Sequence, residues 1–157
     1  MTPATRALDR AGITYELLPY EHDPRAQAYG LEAAEALAID PRRIFKTLLV
    51  ELDSGELATV ILPVDRRLNL KAAAKALGAK RARMANPHDA ERASGYVLGG
   101  ISPFGQKRRQ RTVLDASALG LEALHVSGGR RGLQVRLRVN DLIAQCAALS
   151  ADITAAA

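Results

Sequence analysis

The stretch from Ile44 to Val50 constrains this chain more than any other. Five of its seven residues are apolar and four are β-branched or aromatic, so it reads as a strand. Asp53-Ser54-Gly55 is a turn, and Leu57 to Pro63 is the second apolar run of a hairpin. Alternation places Lys46 on one face with Leu48, Val50 and Leu52, and Phe45, Thr47, Leu49 and Glu51 on the other. If the first face points inward, an ammonium lies among aliphatic side chains. That is costly unless a carboxylate or an anionic ligand compensates it. The alternative is a lysine near a strand end whose head reaches back to solvent.

The remaining chain alternates short helical and strand patterns. Thr2 and Pro3 open a helix that Gly12 ends, and Ile13 to Leu18 follows as a strand closed by Pro19. Leu31 to Ile39 has helical composition. Asn69 caps a helix to Leu77, Lys80 to Met84 is a short strand, and Asn86-Pro87 opens another helix. Strands are expected at 112–114, 123–127 and 133–139. A last helix starts at Asn140 or Asp141 and runs to about Leu149. The result is an α+β fold, a single domain over 1–150 with a frayed tail over 151–157. Its sheet is mixed and barrel-like, with about six or seven strands and short helices around it.

Composition narrows the function. With 157 residues, 48% apolar and 25% charged, the chain can bury a real core. No run approaches a membrane span and the N-terminus lacks signal-peptide layout, so a cytoplasmic protein with no membrane partner is expected. The single Cys146 rules out an intrachain disulfide, and His22, His88 and His125 lack metal-ligand spacing, so no metal or cofactor is expected. The charge of +5 is unevenly spread. Residues 66–83 hold seven basic residues and no acidic one, and Lys107, Arg108, Arg109 and Arg111 form a second tract. Such tracts suit a polyanion, and equally a solvated basic surface.

Two glycine-rich segments could present backbone N–H groups to an anion or oxyanion. They are Gly99-Gly100-Ile101-Ser102-Pro103 and Ser127-Gly128-Gly129. Neither has the spacing of a dinucleotide or P-loop motif, and each by itself also fits a plain turn. His125 and Ser127 share a strand face, but no third member of a triad is evident. Cys146 lies in an apolar helix and reads as a core residue.

In order, these segments resemble the YbaK/EbsC family of aminoacyl-tRNA deacylases, which is related to the editing domain inserted in bacterial prolyl-tRNA synthetases. The matches are Tyr20 with Asp23-Pro24-Arg25, Tyr29-Gly30, Phe45-Lys46-Thr47-Leu48, Gly95-Tyr96, Gly99 to Lys107, and Ser127 to Gly132. The resemblance implies a crevice for the 3′ end of an aminoacyl-tRNA, with prolyl-tRNA synthetase as a candidate partner. It implies that Lys46, Gly99 and Gly100 are catalytic. It also implies that Tyr20, Tyr29, Thr47, Ile101, Ser102, Pro103, Ser127 and Gln134 line the substrate pocket. Family members commonly carry phenylalanine at the place of Tyr29, and some an acidic residue at the place of Gln134. The implied activity is removal of cysteine from Cys-tRNA(Pro), with the substrate's own thiol as nucleophile. Hydrolysis of Ala-, Ser- or Thr-tRNA is one alternative, and a non-catalytic tRNA- or synthetase-binding role is another.

Overall fold

A computed structural model describes residues 1–156. The first helix, α1 (Pro3–Arg10), is closed at its start by a reciprocal pair: the Thr2 side chain accepts from the Thr5 amide, and Thr5 Oγ1 accepts from the Thr2 amide. Strand β1 (Tyr15–Pro19) leads to α2 (Tyr29–Leu37), which starts two residues before the sequence-expected boundary. The hairpin is β2 (Phe45–Leu52) and β3 (Leu57–Pro63), paired from Phe45 opposite Pro63 to Glu51 opposite Leu57. Next come β4 (Arg67–Leu68), α3 (Leu70–Ala76), β5 (Ala82–Met84), α4 (Pro87–Ser94) and β6 (Arg111–Asp115). The chain continues through β7 (Ala123–Ser127), β8 (Leu133–Arg138), α5 (Val139–Cys146), β9 (Leu149–Ala151) and β10 (Thr154–Ala155).

Five strands form the order β5-β2-β3-β6-β9, three form β1-β8-β7, and β10 pairs with β4. The α+β architecture with mixed pairing matches the sequence reading. A barrel does not form, because the sheets stay open. A parallel bridge from Ile44 to His125 links them just before β2 begins. The C-terminal segment also departs from the sequence expectation. Alternation there is too short to signal a strand, yet β9 lies parallel to β6 and β10 pairs with β4. Ile153 between them is fully buried, so its apolar surface holds the segment down rather than leaving it frayed. Of the expected tail, Ala157 lies outside the described residues.

Both faces of the hairpin are buried. Phe45, Leu49 and Ile61 join Leu124, Val126 and Val135 in one core beneath α1, α4 and α5. Val50, Leu52, Val60 and Leu62 join Ala73 and Leu77 of α3 in a second. A third, smaller cluster puts Ala33 and Ala34 of α2 on Ile44 and Val64, with Tyr20 at its margin. Alternation then places Lys46 on the face shared by α2 and α3. Among the described residues no helix is long and apolar enough to cross a membrane.

Candidate functional site

Strand pairing gathers several of the residues singled out in the sequence. Ile44 bridges His125 in parallel, so by alternation Lys46 and Ser127, each two residues on, lie on the face those two share, and Ser127 pairs with Gln134 on β8. Paired residues share a face, so Lys46, Ser127 and Gln134 point to one side of the sheet. Leu18 opposes Gln134, and two residues later the Tyr20 amide donates to the Gly132 carbonyl at 2.9 Å.

Two loops and a helix start close around this face. Gly99 adopts φ +82°, and a Cβ built there would lie 2.5 Å from the Tyr29 ring. Only glycine accepts both the backbone angle and the close approach. A Cβ on Gly100 would lie 2.9 Å from Arg130 Cα, so the glycine loop and the basic turn touch backbone to backbone. Arg131 bridges them further. Its Nε donates to the Leu98 carbonyl at 2.8 Å, and its guanidinium sits 4.5 Å above the Tyr29 ring centroid. Below Tyr29, His22 meets Glu32 of α2 at 2.8 Å and holds the 20–28 loop to the helix.

Electrostatics mark Lys46. It is half-buried; desolvation pushes its pKa below the usual lysine range, and Asp65 acts in the opposite direction. Asp65, which follows Val64 just beyond β3, is the compensating carboxylate that sequence reasoning missed. Pro63 opposes Phe45 and the Val64 amide donates to the Ile44 carbonyl, so Asp65 follows beside the start of β2, where its charge acts on Lys46. Burial also raises the Tyr20 hydroxyl, with Gly132, Gln134 and Arg130 pulling partly back. The Gln134 Oε1 is buried without a hydrogen-bond partner among the described residues, so a donor is missing at this wall.

Not every implied site residue faces the crevice. Thr47 lies on the opposite face from Lys46, with Phe45 and Leu49, and its buried Oγ1 has no partner among the described residues. Ile101 packs in the first core. Ser102 is fully buried; its Oγ accepts from the Phe104 amide and its carbonyl from Gln106 Nε2. The Pro103 carbonyl accepts a weak bond from Cys146 Sγ at 3.7 Å. The glycine half of the loop therefore faces Tyr29, and its second half turns into the protein. Gly100 also spends its amide on the Val97 carbonyl at 2.9 Å, closing the turn. Gly99 and Ile101 make no backbone–backbone hydrogen bond through their amides among the described residues, which leaves them as the candidate donors. The Ser127 Oγ accepts from the Gly129 amide at 3.1 Å, which serves the turn.

Arg131 and Tyr29 lock one another, which yields a test. The stack needs the ring and not the hydroxyl, so Tyr29→Phe is expected to keep activity within about twofold. Tyr29→Ala should lose the stack, worth about 0.5–2 kcal/mol, and loosen the loop. Thermal melts of both variants, beside their rates in whatever reaction the site performs, check this.

Similarity to known proteins bears on the arrangement. Residues 24–144 match the family model described as the aminoacyl-tRNA editing domain. The chain is 36% identical over 121 residues to an Enterococcus faecalis protein named as a proposed Cys-tRNA(Pro)/Cys-tRNA(Cys) deacylase, EbsC, covering 77% of this chain and 74% of that one. It is 34% identical over 131 residues to the proline–tRNA ligase of Shouchella clausii, covering 68% of this chain and 23% of the ligase. A crystal structure described as a proposed trans-editing enzyme for prolyl-tRNA synthetase superposes with a TM-score of 0.85 at 24% identity, covering 99% of each chain.

Proposed function

The chain belongs to the aminoacyl-tRNA editing domain family, an editing deacylase by that membership, and we propose that its substrate is cysteine mischarged on tRNA(Pro). Support comes from the close approach of Gly99 to Tyr29, the pairing of Ser127 with Gln134 and the half-buried Lys46, with no activated protein nucleophile beside them among the described residues. Cys146 cannot serve as one. Its thiol is pushed up to about 12 by burial, and it packs on the α5 side, away from Lys46. Ser127 has no base poised on it: His125 is two residues away on the same strand, and its Nδ1 is unpartnered among the described residues.

The substrate then supplies the nucleophile. The cysteinyl sulfur attacks its own ester carbonyl, forming the C–S bond of a thiolactone. The C–O bond to the ribose breaks, and the thiol proton ends on the departing ribose hydroxyl. The protein contributes position and charge. Lys46 holds a phosphate or the ester end of the terminal nucleotide. The amides of Gly99 and Ile101 hold the aminoacyl carbonyl. Tyr20, Tyr29, Ser127 and Gln134 wall the pocket. Prolyl-tRNA synthetase is the expected partner that selects the tRNA, because the crevice engages only its end.

Single-turnover deacylation of Cys-tRNA(Pro), Ala-tRNA(Pro) and Ser-tRNA(Pro) tests the reading. Rapid loss of the cysteinyl ester alone is expected, because an apolar pocket separates such small side chains by only about 1–3 kcal/mol and the thiol must do the rest. Comparable loss of the alanyl ester would establish water as nucleophile instead. Binding without any turnover would establish an accessory role.

The two basic tracts separate in the fold. Lys71 and Lys75 are exposed on α3, which covers the core on the Lys46 face. Lys107 and Arg108 are tied through their amides to α4, on the opposite core. Neutralising Lys71 and Lys75 is expected to make tRNA binding less salt-dependent, the logarithmic slope falling by about one for each phosphate no longer neutralised. The Arg108→Gln, Arg109→Gln protein should keep the wild-type slope.

A further inference from the structure

A cleft of about 740 Å³ opens at the adjoining ends of β3 and β6, and Asp65, the carboxylate that acts on Lys46, is part of its wall. Its walls include Pro63, Asp65 and Arg66, which continue the strand paired with β2, and Arg43, which precedes it. The polar groups there are mixed, and most are already satisfied. Arg42 closes on Asp40 at 2.7 Å. Asp115 accepts from Ser117 and from the Ile153 amide. Asp152 accepts from Thr154. What remains is specific. Asp65 Oδ1 is buried with no donor among the described residues. Arg43 and Arg66 are exposed and make no ion pair among the described residues.

A bare anion would satisfy the arginines and be repelled by Asp65. A bare cation would do the reverse. A nucleotide with an exocyclic amino group answers both, because a carboxylate accepts from the cytosine N4 amino group and arginine takes the phosphate. The volume is in the range of sites that enclose such a molecule. Every tRNA ends in CCA, so the nucleotide that precedes the terminal adenosine is a cytidine. We propose that this cleft is a subsite for that penultimate cytidine, read by Asp65 at its amino edge and held by Arg43 and Arg66 at its phosphate.

The proposal rests on the editing reading, since it takes Lys46 to hold the terminal nucleotide. Calorimetric titration of the full chain with the 5′-phosphorylated dinucleotides CpA and UpA tests it without turnover. CpA is expected to bind roughly tenfold more tightly than UpA, because uridine offers a carbonyl where cytidine offers an amino group. Asp65→Asn should abolish that preference, since an amide donates to uridine as readily as it accepts from cytidine. Arg43→Gln and Arg66→Gln should weaken both dinucleotides equally. Acylated microhelices ending in CCA and CUA give the same ratio in kcat/KM. Equal affinity for CpA and UpA, or no binding of either at millimolar concentration, would overturn the subsite. Deacylation without that discrimination leaves editing intact and removes the subsite. Discrimination without deacylation does the reverse. Circular dichroism of each variant shows whether it has folded.

Discussion

Replacing Lys46 by methionine is expected to lower kcat/KM for the aminoacyl ester by roughly 100-fold or more, the scale seen when one preorganised electrostatic contact is removed. Stability should move the other way. Methionine keeps the apolar stem beside Leu48 and Leu62 and removes a charge that burial disfavours. The pH dependence follows from the direction of the shift. The folded-state pKa of Lys46 lies below the ordinary 10.5, so between that lowered value and 10.5 the unfolded chain binds more protons. Stability gained through Lys46 therefore rises with pH in that window and is absent below it. The methionine variant should lose that rise and melt no lower than wild type at neutral pH. A large drop in melting temperature together with lost activity would make Lys46 a structural residue.

Replacing Gly100 by alanine is expected to be the most damaging small change in the site. The new Cβ would sit 2.9–3.0 Å from the backbone of Arg130 and Arg131, where no side chain can swing aside. The loop and the turn must separate. That strains the Leu98–Arg131 hydrogen bond and shifts Arg131 over Tyr29. Overpacking of this kind costs about 1–3 kcal/mol, and the loss of positioning should lower kcat by about 100-fold. Gly120→Ala is the control: nothing lies within 4 Å of its built Cβ and its backbone angle is ordinary. Urea melts and deacylation rates of the two variants should differ sharply.

Strong local signals made the hairpin, α1, α3, α4 and β7–β8 legible in the sequence. Thr2-Pro3, Asn69 and Asn86-Pro87 cap where expected, and Asp53-Ser54-Gly55 turns where expected. The C-terminal strands were not legible, because β9 and β10 carry too few residues for a period and owe their place to Ile153 and to pairing with β6 and β4. The open sheet was equally hidden, since closure depends on strand neighbours that no local pattern encodes.

For the site, sequence reasoning found Lys46 as a misplaced charge and the two glycine segments as close-approach backbone. The structure packs the Gly99-Gly100 loop against the turn that follows Ser127-Gly128-Gly129, backbone to backbone at Arg130. No local pattern reveals that Gly100 uses its own amide at Val97, or that Ser102 is fully buried. Alternation put Thr47 opposite Lys46 from the start, and the fold keeps it there. Asp65 and Arg131 escaped because each acts through a partner distant in sequence.

The most direct measurement is the crevice's occupancy by a stable substrate mimic, 3′-cysteinylamido-adenosine, whose amide resists cleavage. Backbone and side-chain resonances followed by NMR on the full chain should move at Lys46, Tyr20, Tyr29, Gly99, Ile101, Ser127 and Gln134. They should stay still around Cys146 and α5. Shifts confined to the Cys146 side, with Lys46 and Gly99 unchanged, would contradict this placement of the site.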